Sequence, residues 1–221
     1  MKDDLSHFLH EHFNSLKLEP PLFYSSPYGI RFEIAIPWMK HEDKRNLRQI
    51  EERSTGIFNK VFQVGDDVLL ITDIHCGRHD RFLQKRPSNV YQKYIKNKAL
   101  LQNLKHTTLP DAFSEEEMVT HRFILPCKKS DIRYSALLSA ISYEDFRHPS
   151  TILKGFPKMG INIYFINTTR KMIYHLYDDR GCDVIASRKE DLLPLYHGLK
   201  EWILDYDRDE IDGVLGINSA T

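Results

Sequence analysis

The densest gathering of side chains able to do chemistry falls within residues 175–183, where His175, Asp178, Asp179, Arg180 and Asp183 stand close together. Carboxylates, an imidazole and a guanidinium in one place can supply acid/base groups and an anion-binding arm. The same run is good turn chemistry. An Asp side chain can accept from its own backbone, and Gly181 is free to take φ > 0. Strands flanking such a turn would put it at an edge of a sheet, within a partner's reach. Arg31, His121 and Arg133 are more distant residues that could join the cluster.

Other constellations are weaker. His75-Cys76-Gly77-Arg78-His79 offers three metal donors in one short run. A structural zinc needs four ligands, and a catalytic one needs three plus water. No second Cys/His pair stands at finger spacing, so no metal and no cofactor are expected. The three cysteines are an odd number without a C-x-x-C pair, so they read as reduced thiols rather than a disulfide framework. Cys182 with His175, or Cys127 with His121, could form a thiol–imidazole couple. Neither lies at a helix N-terminus or a strand-to-helix elbow, where a thiolate is stabilised. The glycine-rich loops that cradle phosphates are missing.

Charge is balanced overall, at 31 Lys plus Arg against 31 Asp plus Glu, but unevenly spread. Residues 78–105 hold eight bases and one acid, while residues 201–212 hold six acids and one base. Tyr91 and Tyr94 within the basic segment imitate the aromatic interleaving of a single-strand nucleic-acid binder. A chain of zero net charge is nonetheless far from the pI of about 9 that marks a committed binder. A protein partner, or the chain's own acidic stretch, fits as well. The longest stretches free of charged residues are 11 residues, Pro20–Ile30 and Met159–Thr169. A membrane span needs about 18, so no membrane is expected. The opening Met1-Lys-Asp-Asp has no apolar core behind it, so a cytoplasmic protein without a secretory signal is expected.

The elements that must position these groups follow from periodicity. Leu5, Phe8, Leu9, Phe13 and Leu16 space one face of an N-terminal helix within residues 1–20, stopped by Pro20-Pro21. Residues 29–36 alternate as a half-buried strand, 43–62 return to helical spacing, and Val68–Thr72 is a buried strand. A loop over 75–88, a helix from a Ser88 cap to about Lys105, and a mobile excursion over 107–118 follow. A strand over 119–126, a helix begun near Ser130 and an irregular link over 145–160 come next. The last third predicts three strands, 161–166, 172–177 and 182–186, then one helix with Leu192, Leu195, Leu199, Trp202 and Ile203 inward to about Asp205. The expected architecture is a single α+β domain over 1–221: a mixed or antiparallel sheet, ending in a three-strand meander, packed against several helices.

Several runs carry a family resemblance. Tyr164-Phe-Ile-Asn167, Tyr174-His175-Leu-Tyr177-Asp178-Asp179-Arg180-Gly181-Cys-Asp183-Val-Ile-Ala186 and Trp202-Ile-Leu-Asp205-Tyr-Asp-Arg208 resemble the bacterial domain-of-unknown-function family numbered 3885. Tyr28-Gly-Ile-Arg-Phe-Glu33, Lys105-His-Thr-Thr-Leu-Pro110, His121-Arg-Phe123 and Ser130-Asp-Ile-Arg-Tyr134 look like the same family. The resemblance covers most of the chain from about residue 28. It implies a bacterial cytosolic protein and carries over no catalytic residue.

Two functions fit. The favoured one is a non-enzymatic module that binds another protein, in the manner of a toxin-immunity protein. The other is an enzyme that handles a phosphorylated or nucleotide substrate through residues 175–183, with Arg31, His121 and Arg133 as neighbours. A cleft gathering those groups favours the enzyme, and a flat exposed turn favours the binder.

Overall fold

In the computed structural model, residues 4–78, 89–110, 118–146, 152 and 160–217 are described. His79, Ser88 and much of the expected 75–88 loop lie outside that set, as do 111–117 and most of the 145–160 link. The class is α+β. Seven strands, β1 (Gly29–Glu33), β2 (Asp67–Gly77), β3 (Lys105–Pro110), β4 (Met118–Lys128), β5 (Gly160–Asn167), β6 (Met172–Leu176) and β7 (Gly181–Ala186), form one sheet. Its order is β1-β7-β6-β5-β2-β4-β3, with every neighbouring pair antiparallel. The expected meander is the β5-β6-β7 section. β1 is laid beside it from the far end of the chain.

One face is covered by α3 (Lys44–Val61), α4 (Asn89–Tyr94) and α5 (Tyr134–Ser142). Asp43 caps α3 by accepting from Arg45 N at 2.8 Å, and Ile50, Ile57, Phe58 and Val61 present one apolar stripe. Phe58 is the centre of an aromatic cluster. It stacks on Phe62 and Tyr134 at 4.4 and 4.8 Å and meets Phe165 and Tyr174 edge-on at 5.0 and 5.5 Å. Such pairs add about 0.5–1.5 kcal/mol each beyond their buried area. Tyr91 and Tyr94 are buried in the same core, which removes them from any nucleic-acid surface.

The other face is crossed by the N-terminal arm. Leu5, Leu9, Phe13, Leu16, Leu18 and Leu22 pack on Ile71, Ile124, Ile166, Ile173 and Ile185. Helix α1 is shorter than expected, Asp4–His12, because Asn14 and Ser15 turn left-handed with φ of 50° and 60°. A second short helix, α2, spans Leu22–Ser25.

Four expectations are corrected. The helix from residue 88 to 105 breaks into α4 and a 3-10 turn over Lys98–Asn103. Residues 107–110 then belong to strand β3 at the sheet edge rather than to a mobile excursion. The long C-terminal helix is interrupted: α6 is Leu193–Gly198 with Pro194 in its first turn, and α7 runs from Asp205 to Leu215. Trp202, expected in the core, sits half-buried in the short turn between them, beside Gly56 and under the Arg53 guanidinium.

Candidate functional site

Alternation along a strand puts every second residue on one face, and register lines those residues up across the sheet. On the face that carries the N-terminal arm, one row is apolar: Ile185, Ile173, Ile166 and Leu69 stand directly opposite one another. The next row reads Arg31, Asp183, His175, Tyr164 and Ile71, from β1 to β2. Beyond it, Glu33 faces Gly181, and Asn162, Asp73 and Arg122 form a further run. The arm's leucines cover apolar residues of this face. Beside the polar rows a cleft of about 660 Å³ opens, lined by Arg31, Glu33, Asn162, Tyr177, Asp178 and Arg180 together with Asp145, Phe32, Leu204 and the Pro20–Pro21 step.

Arg31 grips Asp183 with two prongs, Nε to Oδ1 at 2.9 Å and Nη2 to Oδ2 at 3.2 Å. Asp183 also accepts from Phe23 N at 3.1 Å. The guanidinium lies among the rings of Tyr24 at 4.8 Å and of Phe23 and Tyr177 at 5.4 Å. Burial works against its charge, but the bonds and charge of Asp183 outweigh burial and hold its pKa above the ordinary value.

His175 is sealed in beside this pair. It stacks on Tyr164 at 4.5 Å, and neither ring nitrogen has a hydrogen-bond partner among the described residues. Burial first, and the Arg31 charge second, pull its pKa down to about 3. The imidazole is therefore neutral at ordinary pH, and its burial keeps it from serving as an accessible base.

The 177–181 turn is internally bonded. Asp178 accepts from Arg180 N at 2.8 Å and from Arg180 Nε at 2.7 Å, with a further bond from Nη2. Asp179 bonds His41 Nδ1 at 3.0 Å, and His41 lies flat on Phe146 at 3.5 Å. Gly181 is needed for a reason other than the expected one. Among the described residues the left-handed glycines are Gly65 and Gly216. At Gly181 a Cβ would lie 2.1 Å from the Tyr177 hydroxyl and 2.7 Å from Phe32 O, so the requirement is one of space.

The structure thus brings Arg31, His175, Asp178, Asp179 and Arg180 to one end of the sheet. His121 and Arg133 are elsewhere. His121 points to the opposite face and bonds His106 at 3.1 Å, and Arg133 is exposed at the start of α5 on that same side. His75 and Cys76 project from opposite faces of β2 and cannot share a metal ion. His75 is held between Thr120 at 2.8 Å and Asn162 at 2.9 Å. Among the described residues no three metal donors gather.

The thiol–imidazole couples also come apart. Cys182 faces the helical core while His175 faces the arm, and burial raises the Cys182 thiol well above its ordinary pKa. Cys127 and His121 share a face but stand about 20 Å apart along β4, and burial pushes the Cys127 pKa up to about 12.

Sequence reasoning passed over Glu33, Asn162 and Tyr177 as cleft residues, and over the loop after β1. That loop is clamped by side chains from one flank of α3. Asn46 accepts from Ile36 N at 2.7 Å and donates to Lys40 O at 3.3 Å. Gln49 donates to Ile34 O at 3.2 Å and Arg53 to Glu33 O at 2.8 Å. The loop also meets the turn twice, through Ile34 N to Arg180 O at 2.8 Å and through His41 to Asp179. Between those two ties Trp38 stands wholly exposed with φ of 63°. The Pro37-Trp38 step and the helical spacing of Asn46, Gln49 and Arg53 were the available signals.

The chain belongs to the family described as Domain of unknown function (DUF3885), whose family model matches residues 5–207. The match therefore starts well upstream of the motifs that suggested it. "Uncharacterized protein YnaE" of Bacillus subtilis (strain 168) is 32% identical over 214 residues, covering 90% of this chain and 96% of that protein. No solved structure matches. No described helix is long and apolar enough to cross a membrane.

Proposed function

We propose that this chain is a protein-binding module that receives its partner at the end of the sheet formed by the 177–181 turn, the cleft and the loop after β1. The observation that carries this reading is Arg180. Its side chain is 78% exposed, yet its guanidinium is fixed by Asp178 in the turn. An exposed arginine already held in one conformation loses little entropy on docking, and arginine is enriched among residues that dominate interface energies. The other charges of the cluster favour binding over catalysis: Arg31 is committed to Asp183, Asp179 to His41, and His175 is buried and neutral. Masking a cognate toxin is one form such binding takes.

Arg180→Ala tests the reading. Asp178 is buried although Arg180 is exposed. The substitution leaves a carboxylate held only by the backbone N–H of residue 180 and should cost about 1–3 kcal/mol, with the variant still folded. The set of proteins captured from a lysate of the native host should lose its main component. An unchanged set, captured by a stable Arg180→Ala variant, removes the turn from the interface.

A further inference from the structure

We propose that the Trp38 loop and the acidic wall of the cleft together hold an extended, cationic segment of the partner protein, with a lysine or arginine set against Glu33 and Asp145 and an apolar side chain laid on Trp38. This inference rests on the protein-binding reading and names the partner's chemistry.

Charge complementarity supports it first. Of the five charged side chains on the cleft wall, Arg31 is matched by Asp183 beneath it and Arg180 by Asp178 beside it. Glu33 and Asp145 remain, with no ion-pair partner among the described residues. Arg53 lies near Glu33, but its guanidinium is engaged by the Glu33 carbonyl and the Trp202 ring. Burial raises the Glu33 pKa, with the Arg53 charge only partly opposing it and the Asp205 charge adding to it, so an arriving cation would stabilise the carboxylate further. Leu204 and the Pro20–Pro21 step give the cleft an apolar lining suited to the aliphatic stem of a lysine or arginine.

Trp38 supplies the second half. A bulky L-residue in the left-handed region costs of order 1–2 kcal/mol, and such a conformation persists only where its surroundings over-determine it. Here Asn46 holds the loop from both sides, and Met39 N closes it on Ile36 O at 3.2 Å. The result is the largest side-chain type displayed entirely to solvent on a braced loop. Tryptophan is the residue most enriched in interface hot spots. Trp38 stands five positions after Glu33, a span of at most about 18 Å, so an extended segment of about six residues reaches both.

The test uses a randomised peptide display library panned against the full chain, with the selected peptides synthesised as probes. Trp202→Phe makes Trp38 the sole fluorescent indole. Selected peptides should carry lysine or arginine and shift Trp38 emission. They should bind roughly 30-fold more weakly to Trp38→Ala, the loss of a hot-spot aromatic. Glu33→Gln combined with Asp145→Asn should weaken them by about tenfold, with a steep salt dependence in the parent. Selection of acidic or phosphorylated peptides, cationic peptides that bind Trp38→Ala as tightly as the parent, or no selected peptide at all would overturn the inference. None of these touches the broader reading, which stands or falls on whether the captured host protein depends on Arg180.

Discussion

The Arg31–Asp183 pair and the Asp73–Arg122 pair are built alike and serve different ends. Each joins directly opposed residues of neighbouring strands on the same face of the sheet. Each is two-pronged, and each buries its aspartate almost completely while leaving the arginine 13–14% exposed. Their surroundings differ. Arg122 reaches past Asp73 to the Leu18 carbonyl, which also accepts from the Tyr164 hydroxyl at 3.1 Å, so that pair clamps the N-terminal arm. Arg31 is flanked by aromatic rings and borders the cleft, and a neutral imidazole stands next to its aspartate. Removing two charges from water is costly, and a good pair offsets that cost without much surplus. What distinguishes the two sites is which neighbour each pair orders: a covering segment in one case, the wall of the cleft in the other.

The largest expected effects come from breaking either pair. Asp183→Ala and Asp73→Ala should each cost about 3–5 kcal/mol in chemical denaturation, since each strands a buried guanidinium. Arg31→Met combined with Asp183→Leu should recover most of the loss. Limited proteolysis separates the two sites: cleavage near Leu18 should rise in Asp73→Ala well before it does in Asp183→Ala. The same cleavage pattern in both variants would erase the distinction drawn here.

Next in size is Gly181→Ala, beside the cleft-side pair. The added methyl meets the Tyr177 hydroxyl and the Phe32 carbonyl and should cost about 1–3 kcal/mol by overpacking. Adding Tyr177→Phe should return part of that loss, and a thermal melt showing no recovery would place the strain at the Phe32 backbone instead.

A smaller effect sharpens the contrast further. Folded His175 stays neutral down to about pH 3, whereas an unfolded histidine takes a proton below about pH 6.5. The unfolded chain then binds more protons, so this contribution is complete above pH 6.5 and is lost as pH falls toward 3. Between pH 6.5 and 5 it amounts to about 2 kcal/mol. His175→Phe keeps a ring on Tyr164 and should flatten that part of the stability profile. The clamp pair has Asn162 opposite Asp73 rather than an imidazole.

The strands of the last third were legible because period-two patterning and short turns are local signals, and the Asp-Asp-Arg-Gly turn was found for the same reason. Arg31 could be suspected but not assigned. Its partner is 152 residues away, and nothing local announces a pairing of β1 with β7. Asp73 was overlooked because it follows the continuous apolar run Val68–Thr72, where a buried charge is invisible until Arg122 is placed opposite it. Strand β3 reads as polar because it is an edge strand. Helix α7 was hidden by its five acidic residues, as only Ile211 and Leu215 among its apolar side chains are buried. Trp38 was not singled out, because the tertiary brace from α3 that turns it outward has no local signature.

The pairing of β1 with β7 also has a consequence in time. A ribosome adds roughly 5–20 residues per second, so Arg31 emerges about 8–30 s before Asp183 has been made. Over that interval the first strand has no neighbour along its hydrogen-bonding edge, and its alternating Ile30 and Phe32 resemble the segments that associate between nascent chains. The β5-β6-β7 meander can close locally as soon as it is synthesised. The outermost strand must wait for it and then dock last across a long loop, a contact order that slows folding. Cleft and loop are therefore completed only when nearly the whole chain is present, and a chain truncated before Ala186 would carry the Trp38 loop without the wall it stands beside.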